Sequence, residues 1–163
     1  MNKAQCLVEL IKLELAISDL YMFFSQKCPA DRFFWENMAQ EEKTHALLLQ
    51  SNKESILTKK EFANELFVFN KNILREINDS IKNMMLDFGE NTLSREEALK
   101  TALRTEKTAG ELYYQSAMNI RSDDECIKIF QELNKEFANH TQKIQNYMKE
   151  KGIKYGIYDA GAI

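Results

Sequence analysis

The amino-acid sequence predicts an all-α protein, a four-helix bundle made of two antiparallel helical hairpins. Two observations support this fold class. Apolar residues recur at three- and four-residue steps along almost the whole chain, which is the spacing of one face of an α-helix. Residues that break helices are rare, because the 163-residue chain has one proline and five glycines. A chain of this length is expected to form a single domain over residues 1–163.

Helix limits follow from breaks in the periodicity and from capping signals. The motifs SREE (94–97) and SDDE (122–125) each offer a cap oxygen and a returning carboxylate at a helix start. A long crossover over about 54–93, with one or two extra helices and a further start at TKKE (58–61), joins the two hairpins. The four long helices are predicted over about residues 3–27, 31–53, 94–120 and 123–151.

Composition and charge exclude several classes of protein. The net charge is −3 without any block of like charges, so no nucleic-acid-binding surface is expected. No uncharged apolar run approaches the roughly 18 residues of a membrane span, and the N-terminus lacks the apolar region of a signal peptide. Three well-separated cysteines without a CxxC pair argue against disulfides and cysteine metal sites. The sequence therefore predicts a cytoplasmic protein with reduced thiols.

The two predicted hairpins resemble each other in sequence. ELAISDLY and EKTAGELY, which begin at Glu14 and Glu106, both place a tyrosine seven residues after a glutamate. FWENMAQEEKTH and IFQELNKEFANH align without a gap and end at His45 and His140, the only two histidines of the chain. A tandem hairpin can fold back with approximate two-fold symmetry. We therefore expect matching positions to face one another across the core.

Five ionisable side chains lie on faces that the apolar spacing turns toward the core: Glu14, Glu42, His45, Glu106 and His140. Isolated buried carboxylates are costly, and converging carboxylates repel each other, so a cation between them is the natural compensation. Taken singly, each residue is more often a surface or core side chain without a ligand. Together, at equivalent positions of two hairpins, they indicate a metal site whose oxygen and imidazole donors suit iron or manganese.

At these residues the chain resembles the ferritin-like superfamily, in particular rubrerythrin-type di-iron proteins that lack a rubredoxin domain. The resemblance covers about residues 5 to 150, and the four helices of such proteins carry Glu, Glu-x-x-His, Glu and Glu-x-x-His in that order. It implies a ferritin-like four-helix bundle with one metal held by Glu14 and His45 and a second by Glu106 and His140. Glu42 would bridge the two metals.

The same resemblance implies a non-haem di-iron redox protein that binds Fe(II) and reacts with hydrogen peroxide or dioxygen as a peroxidase or ferroxidase. Tyr21 and Tyr113 are expected as catalytic residues that hydrogen-bond to carboxylates around the metals. Two irons per chain are expected, for which manganese or zinc can substitute. An external electron-donor protein and a homodimer are further expectations. Two alternatives stay open, a di-iron hydroxylase of an organic substrate and a non-catalytic bundle with a degenerate metal site.

The sequence departs from the family pattern at the fourth carboxylate. The residue three positions before His140 is Phe137, where the pattern has glutamate. Glu136 lies one position earlier, at an offset of four on the same helix face, and a local π-bulge would bring it closer to the site. Glu136 is therefore predicted as the substitute ligand. Three carboxylates leave an excess positive charge on two divalent ions, which Glu136 or a bound hydroxide or peroxide would neutralise. Without any of these, one of the two metals is expected to bind weakly or to be absent.

Overall fold

The computed structural model describes residues 3–58, 71–113, 118, 120 and 123–154, leaving aside the side chains of 110–113. Within these ranges the chain is helical apart from short connections and contains no β-strand, which confirms the predicted all-α class. The TKKE start and the end of the predicted third helix lie largely outside the described residues. The helices are α1 (Lys3–Lys27), α2 (Arg32–Ser51), α3 (Lys53–Thr58), α4 (Lys71–Glu90), α5 (Arg95–Tyr113) and α6 (Glu125–Glu150).

Helices α1 and α2 form the first hairpin. A 3-10 turn at Pro29–Asp31 connects them, and Cys28 leaves the helical conformation with φ −121° and ψ 71° because the residue before a proline disfavours it. The two helices are joined by the Ser18 hydroxyl, which donates to the Ala39 carbonyl at 2.8 Å. The buried stripe of α2 at residues 35, 38, 42, 45 and 49 faces the core, as the helical spacing predicts.

Helices α5 and α6 form the second packed pair, and their starts are capped differently. Ser94 and Glu97 form a reciprocal capping box, in which the Glu97 amide donates to Ser94 Oγ and the Ser94 amide donates to Glu97 Oε2. At α6 the predicted capping residue Ser122 lies outside the described residues, and the cap is Asp124, whose carboxylate accepts from the Cys126 amide at 2.8 Å. Helix α6 therefore begins at Glu125, later than the SDDE motif suggested.

Contacts between α2 and α6 bring the two hairpins together in antiparallel register. The rings of Phe34 and Tyr147 stack with centroids 4.0 Å apart, and the rings of His45 and His140 lie 5.3 Å apart. Residue numbers thus rise along α2 while they fall along α6. Asp31, buried at the end of α2, accepts hydrogen bonds from Tyr147 Oη at 2.7 Å and from Arg95 at 2.6 Å, which links α2, α5 and α6.

The crossover helix α4 packs on α1. Its buried residues Leu74, Asn78 and Ile81 recur at helical spacing, and the Asn78 amide donates to the Glu9 carbonyl at 3.2 Å. The three cysteines are buried and are not joined by disulfide bonds. None of the helices within the described ranges has the length and hydropathy needed to cross a lipid bilayer.

Candidate metal centre

The polar side chains that the repeat predicted to face inward are all buried between the helices. Each of the five is less than a tenth exposed, although they come from four different helices: Glu14 from α1, Glu42 and His45 from α2, Glu106 from α5 and His140 from α6. Burial of three carboxylates in one core is unfavourable unless protons, hydrogen bonds or a cation offset it. The cluster is therefore a candidate functional site.

Glu42 lies at the centre of this cluster, and its two oxygens face different histidines. Its Oε2 is 3.2 Å from His45 Nδ1, and its Oε1 is 2.6 Å from His140 Nδ1. Each histidine also faces a second carboxylate, since His45 Nδ1 is 3.7 Å from Glu14 Oε2 and His140 Nδ1 is 3.4 Å from Glu106 Oε1. The result is two donor groups that share Glu42.

Each of these two groups has the compactness of a metal site. In Glu14, Glu42 and His45, and again in Glu42, Glu106 and His140, the three donor atoms lie within 4.8 Å of one another. The two histidine rings stack with an interplanar angle of 24°. The approximate two-fold symmetry expected from the repeat is thus present in the site, with one triad from each side of Glu42.

Three atoms of the second triad have no hydrogen-bond partner among the described residues, although they are buried. They are Glu42 Oε1, Glu106 Oε2 and His140 Nδ1. His140 Nδ1 and Glu42 Oε1 lie 2.6 Å apart as an ion pair, which requires a proton on the imidazole. Buried polar atoms without partners are costly and call for an explanation. A cation held between them would satisfy all three atoms.

Mutual electrostatic effects shift the pKa values of the central groups strongly. Burial, together with the charge of Glu106, raises the pKa of Glu42 to about 8. Burial alone would lower the pKa of the histidines, but the facing carboxylates raise the pKa of His45 to about 9 and that of His140 to about 11. In the metal-free protein, protons on these groups therefore offset the repulsion between the carboxylates, as bound cations would otherwise do.

Tyr21 supports Glu106 from α1. Its hydroxyl donates to Glu106 Oε1 at 2.5 Å, while the buried Oε2 of the same carboxylate has no hydrogen-bond partner among the described residues. Burial and the charges of Glu106 and Glu42 raise the pKa of Tyr21 well above its usual value, so the phenol remains a donor. The side chain of Tyr113, the matching tyrosine of the repeat, lies outside the described residues, and its role stays a prediction.

Sequence reasoning missed Glu41, which orients His140. Burial alone would raise the pKa of Glu41, but its hydrogen bond with Lys143 and the charge of His140 lower it, so its carboxylate only accepts hydrogen bonds. His140 Nε2 therefore donates to Glu41 Oε2 at 2.8 Å, and Lys143 Nζ donates to the same oxygen at 2.6 Å. Once a metal displaces the proton from Nδ1, the remaining proton on Nε2 would keep the imidazole oriented with its Nδ1 lone pair toward the site, as in metal-binding histidines.

Glu41→Gln is expected to weaken metal binding by about 10- to 100-fold, because it removes the charged acceptor that orients His140. The matched control is Glu36→Gln on the same helix, which removes a carboxylate that pairs only with Arg32 on the surface. Competitive titration of both variants with Mn(II) measures the difference. If Glu41→Gln binds as tightly as the control, the orienting role of Glu41 is wrong.

Glu136 and Phe137 differ in their relation to the site. Phe137 is 3% exposed, and its ring centroid lies 6.4 Å from that of His45. Glu136 is half-buried, and one of its oxygens falls within 4.8 Å of donor nitrogens of both His45 and His140. Helix α6 is α-helical throughout Glu125–Glu150, so Glu136 comes this close to both imidazoles without the π-bulge that would have brought it closer. Glu136 belongs to neither group that contains Glu42, so it does not mirror Glu42.

A cavity of about 510 Å³ lies between α4 and α5, and it is separate from this cluster. Thr101, Thr105 and Thr108 of α5 line it, whereas Glu106 on the same helix is 1% exposed and points into the core. The body of α5 therefore stands between this cavity and the donor atoms.

No protein-family model, no curated protein and no solved structure matches this chain. The chemistry of the buried donor atoms is therefore the main guide to its function. That chemistry consists of carboxylate oxygens and imidazole nitrogens, without sulfur, arranged on two sides of one shared glutamate.

Proposed function

We propose that this chain is a non-haem di-iron redox protein of the ferritin-like, rubrerythrin type, which binds Fe(II) and reacts with hydrogen peroxide or dioxygen. One observation carries the proposal. Glu42 offers one oxygen to a triad with Glu14 and His45 and the other to a triad with Glu106 and His140. A carboxylate shared in this way suits two metal ions on either side of it.

The donor set favours iron or manganese over metals that prefer sulfur. Each triad supplies two carboxylates and one imidazole, which are hard and borderline ligands. Three carboxylates leave an excess positive charge on two divalent ions. A bound hydroxide or the carboxylate of Glu136, which lies beside both histidines, would neutralise that excess. The half-buried position of Glu136 leaves room for solvent or an oxidant on that side.

Bound iron would supply the electrons for reduction of the oxidant, and the protein supplies geometry, protons and a dry surrounding. Glu42, Glu14 and Glu106 would hold the two metals at a fixed separation on the α1, α2 and α5 helices. Tyr21 keeps a proton at Glu106 Oε1, where it can stabilise charge on that carboxylate. Glu41 fixes the tautomer of His140. The burial of every donor in the two triads limits the access of water.

The hydroxylase alternative requires an apolar path for an organic substrate. The cavity between α4 and α5 provides an apolar space, but α5 separates it from the donors of the cluster. The alternative of a non-catalytic bundle with a degenerate metal site is supported by Phe137. This residue is buried at the position where the repeat predicts a second bridging glutamate. Iron stoichiometry separates this alternative from the main proposal.

Anaerobic titration of the metal-free protein with Fe(II), followed by peroxide, tests the proposal. We expect about two irons per chain and rapid oxidation of both by one peroxide. The matched control is Glu9→Gln, which neutralises another buried carboxylate of α1 that pairs with Lys12 outside the cluster. This variant should bind iron like the wild type. Absence of iron binding by the wild type would refute the proposal, and one iron per chain would favour a degenerate site.

Glu136→Gln is expected to weaken the second iron selectively, because one oxygen of Glu136 lies within 4.8 Å of donor nitrogens of both histidines. Glu132→Gln, one turn earlier on the exposed face of α6, is the matched control. Phe137→Glu in the Glu136→Gln background should restore two tight irons, since it places a carboxylate at the mirror position of Glu42. The number of irons per chain, measured after gel filtration, tests both expectations. Unchanged stoichiometry in Glu136→Gln would show that Glu136 is no ligand.

A further inference from the structure

A continuous series of aromatic rings runs from the carboxylate cluster to the surface. Tyr21 lies 5.6 Å from Trp35, Trp35 lies 4.9 Å from Phe34, and Phe34 stacks on Tyr147 at 4.0 Å, measured between ring centroids. The inner end contacts Glu106, and the outer end lines an open cavity of about 310 Å³ between α2 and α6. The four residues are called the aromatic series below.

We propose that the aromatic series carries single electrons from an external one-electron donor at the Tyr147 cavity to the buried centre. The inference rests on the proposed redox function for its physiological use, although the series itself can be tested without metal. Electron tunnelling slows steeply with distance, so a sequence of short steps between aromatic rings outpaces one long step through aliphatic side chains.

The two phenols at the ends of the series share an unusual arrangement. Tyr21 Oη donates to Glu106 Oε1 at 2.5 Å, and Tyr147 Oη donates to Asp31 Oδ1 at 2.7 Å. Asp31 is 2% exposed and is also held by Arg95. Oxidation of a phenol at ordinary potentials requires loss of its proton. A carboxylate within hydrogen-bond distance can accept that proton and return it, and both tyrosines have one.

Trp35, in the middle of the series, differs from an ordinary packing residue. It is 0% exposed, and its indole Nε1 has no hydrogen-bond partner among the described residues. Buried tryptophans usually find a partner for this group. Trp35 lies between Tyr21 and Phe34, and its ring packs edge-on against Phe34 with an interplanar angle of 71°. It is the only tryptophan in the chain, which makes its radical identifiable.

Electrons and protons balance along the series. If iron were bound and oxidised, Tyr21 would give one electron to the centre and its proton would move to Glu106. Trp35 then reduces the Tyr21 radical, and the proton returns to the phenol. Tyr147 reduces the Trp35 radical across the ring of Phe34, while its own proton moves to Asp31. The external donor finally reduces Tyr147, which recovers its proton. One electron enters at the cavity, one reaches the centre, and no net proton is moved.

The experiment uses the full-length, metal-free protein with a photo-oxidant attached near the outer end. The label is attached to the variant Asn37→Cys, an exposed residue that lines the Tyr147 cavity, while the three native cysteines are buried. The control is the variant Lys128→Cys on α6, which lies about 28 Å along the helix from Tyr147 by the helical rise. A laser flash then oxidises the label, and transient absorption follows the radicals.

Because the photo-oxidant lies at the outer end, the flash drives the steps of the series in the reverse direction. We expect a tryptophan radical followed by a tyrosyl radical in the Asn37→Cys protein, formed at least about tenfold faster than from the Lys128→Cys label. Tyr21→Phe should abolish the tyrosyl phase that follows the tryptophan radical and should lengthen the life of that radical. Tyr147→Phe should slow formation of the tryptophan radical by about tenfold. Both variants remove a single oxygen, so they test the series even if Trp35→Phe fails to fold.

Two results would overturn the proposal. One is formation of the same radicals at equal rates from both labelling positions. The other is a tyrosyl phase that survives Tyr21→Phe when Tyr147 is also replaced by phenylalanine. Because the measurement needs no metal, failure of iron binding leaves it unaffected. A protein that binds two irons but forms no tryptophan radical would retain the proposed function and lose the aromatic series.

Discussion

Glu42→Gln is expected to abolish binding of both metals while the protein remains folded. Glu42 is the one residue common to both triads, and an amide cannot bridge two cations through two charged oxygens. The loss of metal affinity should exceed the roughly 100-fold loss caused by substituting residues that only orient a ligand, because Glu42 would itself bind the metals. Anaerobic Fe(II) titration with iron counted per chain measures the change from about two irons to none.

The same substitution should leave the metal-free protein as stable as the wild type, or more stable. Burial and the charge of Glu106 raise the pKa of Glu42 to about 8, which means that its ionised form is unfavourable in the fold. A neutral amide of the same shape avoids this penalty, as substitutions at strained functional sites often do. The control Glu36→Gln on the surface of α2 should change neither property. Retention of one tight iron by Glu42→Gln would show that the two triads act independently.

Metal affinity should rise steeply with pH between about 6.5 and 9, because the cations must displace protons. Raised pKa values of about 8 for Glu42, about 9 for His45 and about 11 for His140 mean that these groups carry protons at neutral pH in the metal-free protein. Each proton released contributes about a tenfold gain in affinity per pH unit. Calorimetry of Mn(II) binding in buffers of different ionisation enthalpy counts the released protons directly.

The stability of the metal-free protein should change with pH in the opposite direction. A raised pKa in the fold means that the folded state binds protons more tightly than the unfolded chain. For His45 and His140 the stabilisation is fully present below the usual value of 6.5 and is lost as pH rises through about 9 and 11. Glu42 acts in the same direction between 4.5 and about 8. The difference in Tm between metal-loaded and metal-free protein should therefore widen as pH rises, and a narrowing would contradict this assignment.

The inward direction of the five site residues could be predicted because the α-helix fixes which positions share a face. Glu14 and Glu106 were located by their place in the repeat, and His45 and His140 by the gapless alignment of the second helices. The capping box at Ser94 was predictable for the same reason, since it depends only on residues three positions apart. The geometry of a single helix therefore suffices to predict which side chains face inward and where a helix begins, without any knowledge of tertiary packing.

Features that depend on packing between distant segments could not be predicted. Glu41 lies off the buried stripe of α2, and its role arises only from contact with His140, which is 99 positions away. Asp31 meets Tyr147 across 116 positions, so the outer end of the aromatic series gave no local signal. The approach of Glu136 to both imidazoles without a π-bulge also depends on how α2 packs against α6, which the sequence of α6 alone does not show.

A crystal structure of the protein loaded anaerobically with Mn(II), with the metals located by anomalous scattering, tests the central claim most directly. We predict two metal peaks roughly 3.5–4 Å apart, bridged by the two oxygens of Glu42. One peak should contact Glu14 and Nδ1 of His45, and the other should contact Glu106 and Nδ1 of His140. A loaded crystal without metal between these residues, or with a single ion that does not contact Glu42, would contradict the assignment.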